Sequence, residues 1–599
     1  MSRSNGRVFS VVELLLVFVF GVLYSRAGIA RAQDAASPAP PPMRSTTAVI
    51  EKRWLNLPIK NEAERRDVRI IVDGKVVRRL HAELAADANA SDWWGAVDMG
   101  PWQGKSATIQ ITGLPPDARV FEALRQADEP LGREGLYAEQ LRPQFHFTAA
   151  RGRLNDPNGL AYYNGEWHMF FQLAPYSYGS GVKHWGHAVS KDLVHWQDLG
   201  IAIHAEDQGA IYSGSGVVDH RNSSGLGDAG RAPLVLCYTL TSEPYVQAIA
   251  SSTDGRSFAV YPHNPVAASI TPLNRDPKVF WHEPTGQWIM ALYVQPSVAG
   301  TKGSDGRPVT RRVMAFLASS DLKGFRQVGE FAGGMGDDKF LGECPELFSI
   351  PVVGRDAGKV KWVIHGGDGQ YMLGDFDGKA FVPETGKMAS FAGDRYAAQT
   401  FDNAPDGRRV QIAWMRGAAF PGMPFNGCMS VPVELSLKAT PEGLRLASWP
   451  AKELEGLRRA RTSLPAGKVR PGENPLSELR GEIFDLEAVI DPRDAKTIAF
   501  ELPGGTVTYD AAAGTLTCGK FSAPVPLVDG KLRLRVLGDR TILEVFGADG
   551  LCYLAAGNCP RRDVPMKLTV SGGDVEIVSL LVHEMNSAWR APGDSAVAE

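Results

Sequence analysis

Three acidic residues occur in sequence stretches of one form, in which the acid lies next to or near a proline and an apolar run follows. They are Asp156 in NDPNGLAYY, Asp276 in RDPKVFW and Glu343 in ECPELFSI. Carboxylates held close together raise one another's pKa, and burial raises it further, so such a group is costly unless it has a chemical role. Two carboxylates whose pKa values are pushed apart can cleave a glycosidic bond, because the ionised one attacks or stabilises the anomeric carbon while the protonated one releases the leaving oxygen. The three acids are therefore candidate catalytic groups.

The stretch around Asp156 has a second interpretation. Residues 153–160 read RLNDPNGL, and Asn, Asp, Pro and Gly are the residues that build tight turns, because Pro fixes its φ angle and Gly allows a positive one. Taken alone, this stretch predicts a turn. A catalytic role depends on the two other acids lying nearby in the fold.

A repeat in the middle of the chain supplies a scaffold that could bring the acids together. An Asp followed four residues later by an aromatic residue recurs at Asp192/Trp196, Asp254/Phe258, Asp321/Phe325 and Asp377/Phe381. The steps from Asp to Asp are 62, 67 and 56 residues, with short strand-like stretches such as WHMFFQ and QWIMALYV between them. A repeat of about 60 residues built from short strands is typical of β-propeller blades. Residues 139–445 have room for five blades.

The spacing of the acids fits this repeat. Asp156 and Asp276 are 120 residues apart, and Asp276 and Glu343 are 67 residues apart, which corresponds to two blades and one blade. The innermost strand of each propeller blade runs along the central channel. We therefore expect the three acids at equivalent places on blades one, three and four, converging at one end of the channel.

Further β domains are predicted on both sides of the propeller. Residues 46–138 contain alternating strand-like segments and an Asp73-Gly74 hairpin turn, which predict an N-terminal β-sandwich-like domain. Its Trp93-Trp94 pair suits core packing better than sugar stacking, so we expect a brace or spacer that contributes no catalytic group. Residues 446–464 suggest a connecting helix or linker, residues 465–587 a C-terminal β-sandwich, and residues 588–599 a disordered tail. The predicted fold class is all-β.

The N-terminal segment predicts export. An apolar run from Val8 to Leu23 follows two arginines, and Ala30-Arg31-Ala32 resembles a cleavage site, so residues 1–32 are interpreted as a signal peptide cleaved after Ala32. An uncleaved anchor is the alternative, and no later segment reaches membrane length. Residues 33–45 form a Pro-rich linker. The mature chain is expected to be secreted or periplasmic, without a membrane span.

Composition excludes several classes of partner and cofactor. The net charge of −3 over 599 residues comes without long basic runs, so no nucleic-acid partner is expected. Six cysteines show no metal-ligand spacing, and most are expected to be free buried thiols, with Cys552 and Cys559 a candidate pair. His184 and His187 have no third ligand at suitable spacing, so they are interpreted as structural, and neither a metal nor another cofactor is predicted.

The acid motifs together resemble glycoside hydrolase family 32, the invertases, inulinases, levanases and related fructan β-fructosidases. LNDPNGL, RDP and ECPELF occur in order, with HWGHAVSKDLVHW and YSGSG between the first two, and the resemblance spans about residues 143–585. It implies a retaining mechanism on β-fructan or sucrose-like substrates. Asp156 would be the nucleophile, Glu343 the acid and base, and Asp276 would hold sugar hydroxyls in the transition state. Chemistry alone leaves Glu343 and Glu346 as alternatives, and the family's Glu-Cys-Pro motif favours Glu343.

The same resemblance implies further binding residues. Positions that bind fructose in the family correspond here to Asn155, Gln172, Ser213, Arg275 and Trp414. The chain departs from the family after Gln172, where it reads QLAPYSYGSGV. A tryptophan that usually walls the fructose pocket is replaced by Ser180, and Tyr176 or Tyr178 is expected to substitute for it.

Two other functions are weighed against a fructan β-fructosidase. One is a five-bladed glycosidase that cleaves arabinan or xylan, usually with inversion, and the Glu-Cys-Pro motif argues against it. The other is a carbohydrate-binding protein with an inactive propeller, which would be expected to lack one of the three acids. The choice among levan, inulin and sucrose depends on the loops around the channel.

Overall fold

The computed structural model describes residues 42–589 except 206–208, 229, 303–305, 336–337, 355–356 and 562–563. The predicted signal peptide, most of the predicted linker and residues 590–599 lie outside the described residues. Within the described part of the chain, no helix has the length and apolar character needed to cross a membrane.

The first domain is a small sandwich of two antiparallel sheets. One sheet has the order Met43–Val49, Ser106–Thr112, Arg65–Val72, Lys75–Glu83, and the other Trp93–Asp98, Trp54–Ile59, Arg125–Ala127. A 3-10 helix at Gly100–Trp102 and one α-helical turn at Val120–Ala123 complete it. Asp73 and Gly74 form the hairpin turn with positive φ at both positions, as a type I′ turn requires. The first strand begins at Met43, so the predicted linker 33–45 extends too far.

The aromatic pair of the first domain serves packing. The Trp93 side chain is buried in the core between the two sheets, and its indole N–H donates to Asn61 Oδ1 at 2.7 Å. The Trp94 main-chain carbonyl accepts a hydrogen bond from the Arg151 guanidinium of the propeller. Both residues therefore serve the core and its junction with the propeller.

The predicted five-bladed propeller is confirmed, with four antiparallel strands in each blade. Blade one contains Gly152–Tyr163, Glu166–Ala174, His184–Ser190 and Trp196–Ile203. Blade two contains Ile211–Val218, Leu234–Leu240, Val246–Ser252 and Ala259–Val260. Blade three contains Arg275–His282, Gln287–Val294, Pro308–Ser319 and Arg326–Met335, with Ser297–Lys302 as an extra strand. Blade four contains Glu346–Val353, Val360–His365, Gln370–Phe376 and Phe381–Pro383, with Met388–Ala389 at its edge. Blade five contains Arg395–Thr400, Val410–Met415, Val433–Thr440 and Gly443–Pro450, and Phe425–Asn426 pairs with blade one.

The repeated aspartates lie at the turn between the third and fourth strands of a blade, where they accept hydrogen bonds from the main chain. Asp192 Oδ1 accepts the main-chain N–H groups of Val194 and His195 at 3.1 and 2.8 Å. Asp254 does the same for Arg256 and Ser257. In blades one to four a short acceptor satisfies the N–H groups of this tight turn, so the motif recurs at the blade spacing.

The stretch around Asp156 is a bulged strand, and the predicted turn is wrong. Residues Gly152–Tyr163 pair with Glu166–Ala174, with register shifts between Leu154 and Pro157 and between Asn158 and Ala161. A bulge leaves residues out of the ladder, so a proline without an N–H is tolerated there. Gly159 takes a φ of 55°, which glycine adopts without a steric penalty.

The C-terminal domain is a β-sandwich around its own apolar core. The first sheet has the order Ala392–Gly393, Cys552–Ala556, Ile542–Gly547, Leu532–Asp539, Ile483–Asp491, Val575–Met585, Arg458–Leu464, with Gly467–Val469 on Val575–Met585. The second has the order Phe521–Pro524, Thr515–Cys518, Gly505–Asp510, Thr497–Leu502, Lys567–Ser571. The remaining 3-10 helices are Glu283–Thr285, Pro405–Gly407, Lys452–Leu457 and Ala548–Gly550.

Two predictions about connecting segments differ from the structure. Residues 446–464 contain only one 3-10 helix, Lys452–Leu457, between the last strand of blade five and the strand Arg458–Leu464. Pairing with Val575–Met585 outweighs the helix propensity of the charged residues there. The tail was predicted to be disordered from residue 588, yet Ala588 is buried and Trp589 stacks on Tyr137.

The cysteines form no disulfide in the described structure. All six are free thiols, five of them buried and Cys559 partly exposed, so the candidate pair of Cys552 and Cys559 is not formed. Burial raises the pKa of the Cys559 thiol to about 11, which keeps it protonated near neutral pH.

Candidate active site

Asp156 lies on the innermost strand of blade one and faces the channel, partly buried. Its Oδ2 accepts a hydrogen bond of 2.7 Å from Ser213 Oγ, and Ser213 Oγ in turn accepts one of 2.8 Å from Gln172 Nε2. Burial raises the pKa of Asp156 to about 6, the Ser213 hydroxyl lowers it, and the nearby Glu343 carboxylate raises it. The carboxyl group is therefore oriented by Ser213.

Asp276 lies on the innermost strand of blade three and is more deeply buried, with 5% of its surface exposed. Its main chain has a φ of 63°, and its N–H donates to Thr239 Oγ1 at 3.0 Å. Its Oδ2 accepts the main-chain N–H of Cys344 at 3.1 Å and lies 3.9 Å from Arg275 Nε. Burial raises the pKa of Asp276 to about 7, while Arg275 opposes the rise. Backbone strain of this kind at a non-glycine residue persists where the surroundings hold it, often at functional sites.

Glu343 precedes the innermost strand of blade four, and its side chain is 38% exposed towards the channel. Arg275 Nε and Nη2 both donate to Glu343 Oε1, at 3.0 and 2.9 Å. The Tyr396 hydroxyl donates to Glu343 Oε2 at 2.6 Å. Arg275 of blade three and Tyr396 of blade five thus hold one carboxylate of blade four between them.

Glu346, the alternative acid, occupies a different environment. Its side chain is fully buried, and Oε1 forms an ion pair of 2.7 Å with Lys278 Nζ. Oε2 accepts hydrogen bonds from the main-chain N–H and the hydroxyl of Thr400. Lys278 also donates to the Thr400 carbonyl at 2.8 Å. Lys278, Glu346 and Thr400 thus link blades three, four and five inside the propeller, away from solvent.

The remaining candidate binding residues adjoin the three acids. Asn155 is buried directly before Asp156, and its Oδ1 accepts a hydrogen bond from Lys183 Nζ. Trp414 is 8% exposed and pairs with Tyr396 across blade five. Its buried indole N–H has no hydrogen-bond partner among the described residues. Gln172, Ser213 and Arg275 take part in the contacts described above, and Trp414 is linked to the acids through its strand partner Tyr396, which binds Glu343.

Sequence reasoning missed two residues of this site. Tyr396 lies in DRYAAQT, which carries no acidic motif and gives no signal of its role. Lys183 directly precedes HWGH, and burial lowers its pKa to about 7, with Arg153 lowering it further and Asp156 opposing the shift. The only signal in the sequence for Lys183 is that a charged residue directly precedes an apolar strand.

The two tyrosines expected to wall the pocket both contact the N-terminal domain. Tyr176 belongs to the core of the N-terminal domain, against which its side chain is buried. Tyr178 is 8% exposed, and its main-chain N–H donates to Glu83 of that domain. Tyr176 therefore does not replace the missing tryptophan, because its side chain packs in the core of the N-terminal domain. Replacement by Tyr178 stays a prediction.

The two histidines of HWGH have structural partners. His184 Nδ1 accepts the main-chain N–H of Ala205 at 2.9 Å, and His187 Nε2 lies 3.1 Å from His168 Nδ1. Within the described ranges, no group of three His, Cys, Asp or Glu side chains is arranged to hold a metal ion.

Sequence comparison places this scaffold among known proteins. The profile of the glycosyl hydrolases family 32 N-terminal domain matches residues 146–450, and that of the family 32 C-terminal domain matches residues 453–584. These two matches cover the propeller and the C-terminal sandwich, and they leave the first domain outside.

Individual relatives agree with this match. A levanase of Bacillus subtilis (strain 168) is 35% identical over 504 residues, covering 76% of this chain and 72% of the levanase. An extracellular exo-inulinase of Aspergillus niger is 29% identical over 537 residues, covering 76% of this chain and 96% of the inulinase. The crystal structure of an exo-inulinase from Aspergillus awamori superposes with a TM-score of 0.64 at 27% identity, covering 76% of this chain and all of that one.

Proposed function

This chain belongs to glycosyl hydrolase family 32, and from this premise we propose that it is an exported, retaining exo-β-fructosidase that uses Asp156 and Glu343 as its catalytic pair. It is a glycoside hydrolase that releases fructose from β-fructosides. The observation that carries the proposal is the convergence of three carboxylates from blades one, three and four on one polar site.

The first step forms a covalent intermediate. An Asp156 carboxylate oxygen attacks C2 of the terminal fructosyl unit, and the bond from C2 to the glycosidic oxygen breaks. Glu343 gives its proton to that leaving oxygen. The Ser213 hydroxyl supports the attack geometry, because it holds Asp156 Oδ2 at 2.7 Å and leaves the other oxygen free of that bond.

The second step returns the enzyme to its starting state. Glu343, now ionised, takes a proton from water, and the water oxygen attacks C2 and displaces the Asp156 carboxylate. Two displacements at one carbon leave the anomeric configuration unchanged. Exposure of the Glu343 side chain, at 38%, is consistent with an entering water, whereas Glu346 is fully buried.

Asp276 and the flanking polar groups are proposed to bind the sugar. The carboxylate of Asp276 faces the same site and can accept hydrogen bonds from sugar hydroxyls. Asn155, Gln172, Arg275 and Trp414 are the proposed partners for the remaining hydroxyls. Such bonds to hydroxyls strengthen as charge develops in the transition state.

The relatives support a proposed substrate class and location. The similar proteins carry the names levanase and exo-inulinase, so fructans with terminal β-fructosyl units are the proposed substrates. Export is supported by the N-terminal sequence of the chain and by the extracellular naming of the inulinases.

Fructose release from a panel of substrates tests the function. The purified full-length enzyme is incubated separately with levan, inulin, sucrose, arabinan and xylan, and released monosaccharide is measured. We expect fructose from at least one fructoside, with the β anomer formed first by NMR, and no product from arabinan or xylan. Cleavage of arabinan or xylan without any fructose release would refute the proposal.

Removal of the proposed nucleophile tests its role. Asp156→Ala should lower kcat by about a thousandfold or more while the protein stays folded, because no other group can form the intermediate. Asp228→Asn, at an exposed ion pair with Arg231, is the matched control and should keep full activity. Substantial turnover by folded Asp156→Ala would exclude Asp156 as nucleophile.

A further inference from the structure

The N-terminal domain holds one loop of the propeller in a fixed position. Residues 175–183 connect the strands Glu166–Ala174 and His184–Ser190 of blade one without forming a strand themselves. Gln172 of the site precedes this loop, and Lys183 ends it. The loop is also where the chain departs from its family's pattern.

A buried carboxylate of the N-terminal domain accepts hydrogen bonds from the main chain of this loop. Glu83 is 3% exposed, and its Oε2 and Oε1 accept the N–H groups of Tyr178 and Gly179, both at 2.9 Å. The Glu83 main-chain N–H donates to the Tyr176 carbonyl at 3.0 Å. A Cβ at Gly179 would come within 2.8 Å of Glu83 Oε1, so a larger residue there would have to displace the Glu83 carboxylate.

Further contacts close the loop on both sides. Arg65 of the N-terminal domain donates to the carbonyl and hydroxyl of Ser180 at 2.7 and 2.8 Å. The Tyr176 ring packs in the N-terminal core, where a Cβ at Gly95 would come within 2.9 Å of it. From the propeller side, Asn426 Nδ2 donates to the Tyr178 carbonyl at 3.1 Å. A loop bound this way cannot shift without breaking buried hydrogen bonds.

The end of the loop places the amino group of Lys183 next to Asn155. Lys183 Nζ donates to Asn155 Oδ1, and its charge acts on the neighbouring Asp156. Because an ammonium group only donates, it fixes the Asn155 amide with its oxygen towards Lys183 and leaves the NH2 group for another acceptor. Lys183 therefore orients one proposed sugar ligand and favours the ionised form of Asp156.

We propose that the N-terminal domain completes the active site, by clamping loop 175–183 through Glu83 so that Lys183 positions Asn155 and Asp156 for catalysis. Lys183 is a positioning residue in this arrangement and acts through its two neighbours. The inference rests on the proposed function of Asp156. It extends that function by making a domain outside the family match necessary for full activity.

Ionisable groups from several elements surround Asp156 and Lys183. Those around Asp156 are Lys183 of blade one, Asp276 of blade three, Glu343 and Cys344 of blade four, and Tyr396 of blade five. Those around Lys183 are Arg153 and Asp156 of blade one, together with Arg65, which belongs to the N-terminal domain. Among the groups named around Asp156, Lys183 is the one that can carry a positive charge. Its removal therefore takes away a cation beside Asp156 while the carboxylates of Asp276 and Glu343 remain.

Kinetics of two full-length variants test the role of Lys183. Lys183→Met should lower kcat/KM about tenfold or more, and the acidic limb of its pH profile should move to higher pH, because Asp156 loses a cation that favours its ionised form. Lys183→Arg keeps the charge and should hold the acidic limb near its original pH. Unchanged kcat/KM and an unchanged limb in Lys183→Met, or an equal shift in Lys183→Arg, would overturn the role of Lys183.

The clamp is tested at a distance from the site. Glu83→Gln should lower kcat/KM in the same direction and increase hydrogen exchange of residues 175–183. Arg65→Gln, at an exposed side chain whose loss leaves the core intact, should show a smaller effect of the same kind. The matched control is Glu122→Gln, on the same domain at an exposed pair with Arg119, and it should leave both readouts unchanged.

The outcomes separate this inference from the proposed function. An unaltered enzyme that releases no fructose would refute the function itself. An active enzyme in which folded Glu83→Gln and Arg65→Gln keep normal kcat/KM and normal exchange of the loop would refute only the clamp. Should Glu83→Gln not fold, Arg65→Gln alone decides between the two results.

Discussion

Glu343 and Glu346 lie three residues apart and show how surroundings separate the roles of two like side chains. Glu343 is over a third exposed and is held by Arg275 and Tyr396, both of which lie at the site. Glu346 is fully buried in an ion pair with Lys278. A carboxylate that is fully buried cannot be reached by a substrate, so Glu346 is a structural residue.

Substitution of the two glutamates should therefore have opposite signatures. Glu343→Ala should lose about a thousandfold or more in kcat with its stability nearly kept, since it removes a group exposed to the channel. Azide should restore turnover on a substrate with a good leaving group, because a small anion can take the place of the activated water. Activity assays with and without azide, together with thermal unfolding, measure both effects.

Glu346→Ala should instead lower the free energy of unfolding by about 3–5 kcal/mol, because Lys278 is left as an unpaired buried charge. Azide should not improve its activity, since the lost group does no chemistry. If azide rescued Glu346→Ala and not Glu343→Ala, the two roles would have to be exchanged.

At the scale of the element, the bulged strand Gly152–Tyr163 positions Asp156. Two register shifts interrupt its ladder with Glu166–Ala174, and Gly159 takes a left-handed conformation within the second of them. The Asn158 side chain donates to the Asp156 carbonyl at 3.0 Å and accepts the Gly214 N–H of blade two. The irregular segment is thus held by its own side chains and by the next blade.

Gly159→Ala should destabilise the protein by about 1–3 kcal/mol and lower kcat, because strain and a clash coincide there. Its φ is 55°, and an added Cβ would lie 2.6 Å from the buried Phe170 ring. Chemical denaturation and initial rates measure the two effects.

Gly165→Ala is the matched control for this strand. Gly165 also has a positive φ, but no atom lies within 4 Å of an added Cβ, so only the conformational cost of about 1 kcal/mol is expected. Equal losses in the two variants would show that packing against Phe170 contributes nothing to the bulge.

At the scale of the whole molecule, a buried charge cluster joins the propeller to the C-terminal sandwich. Asp539 accepts hydrogen bonds from the main-chain N–H groups of Gln144, Phe145 and His146, and its Oδ2 lies 2.8 Å from His146 Nδ1. Glu544 lies 3.5 Å from the other ring nitrogen of His146. Burial opposes the imidazolium, yet the two carboxylates raise the pKa of His146 to about 9.

This cluster should make the free energy of unfolding decrease as the pH becomes alkaline. The pKa of His146 is about 9 in the fold and 6.5 without it, so its contribution is present in full below about pH 6.5 and is lost as pH rises through 9. The difference corresponds to about 3 kcal/mol at most. His146→Gln should therefore lower the unfolding temperature clearly near neutral pH and by a smaller amount above about pH 9.

Thermal unfolding from about pH 6 to pH 10 measures this dependence. The control is His195→Gln, which removes a partly exposed pair with Asp192 and should change stability little at any pH. A loss in His146→Gln that stayed constant across the range would exclude protonation of His146 as its cause.

The sequence by itself determined the parts of this protein that repeat or that form local motifs. The blade length followed from the four recurring aspartates, because each caps one turn and local turn chemistry can be predicted from sequence, and the room in residues 139–445 then gave five blades. The three acids followed from their motifs and spacing, since equivalent positions of repeated blades must meet at the channel.

Only the tertiary structure decided the contacts between distant segments. The strand bulge at Asp156, the strand Arg458–Leu464 in place of a helix, and the packing of Trp589 all depend on partners far along the chain. So do the burial of Tyr176 and the delivery of Lys183 to Asn155. Sequence patterns report local preference and periodicity, whereas these outcomes are set by which distant surfaces pack together, and that packing outweighs local propensity.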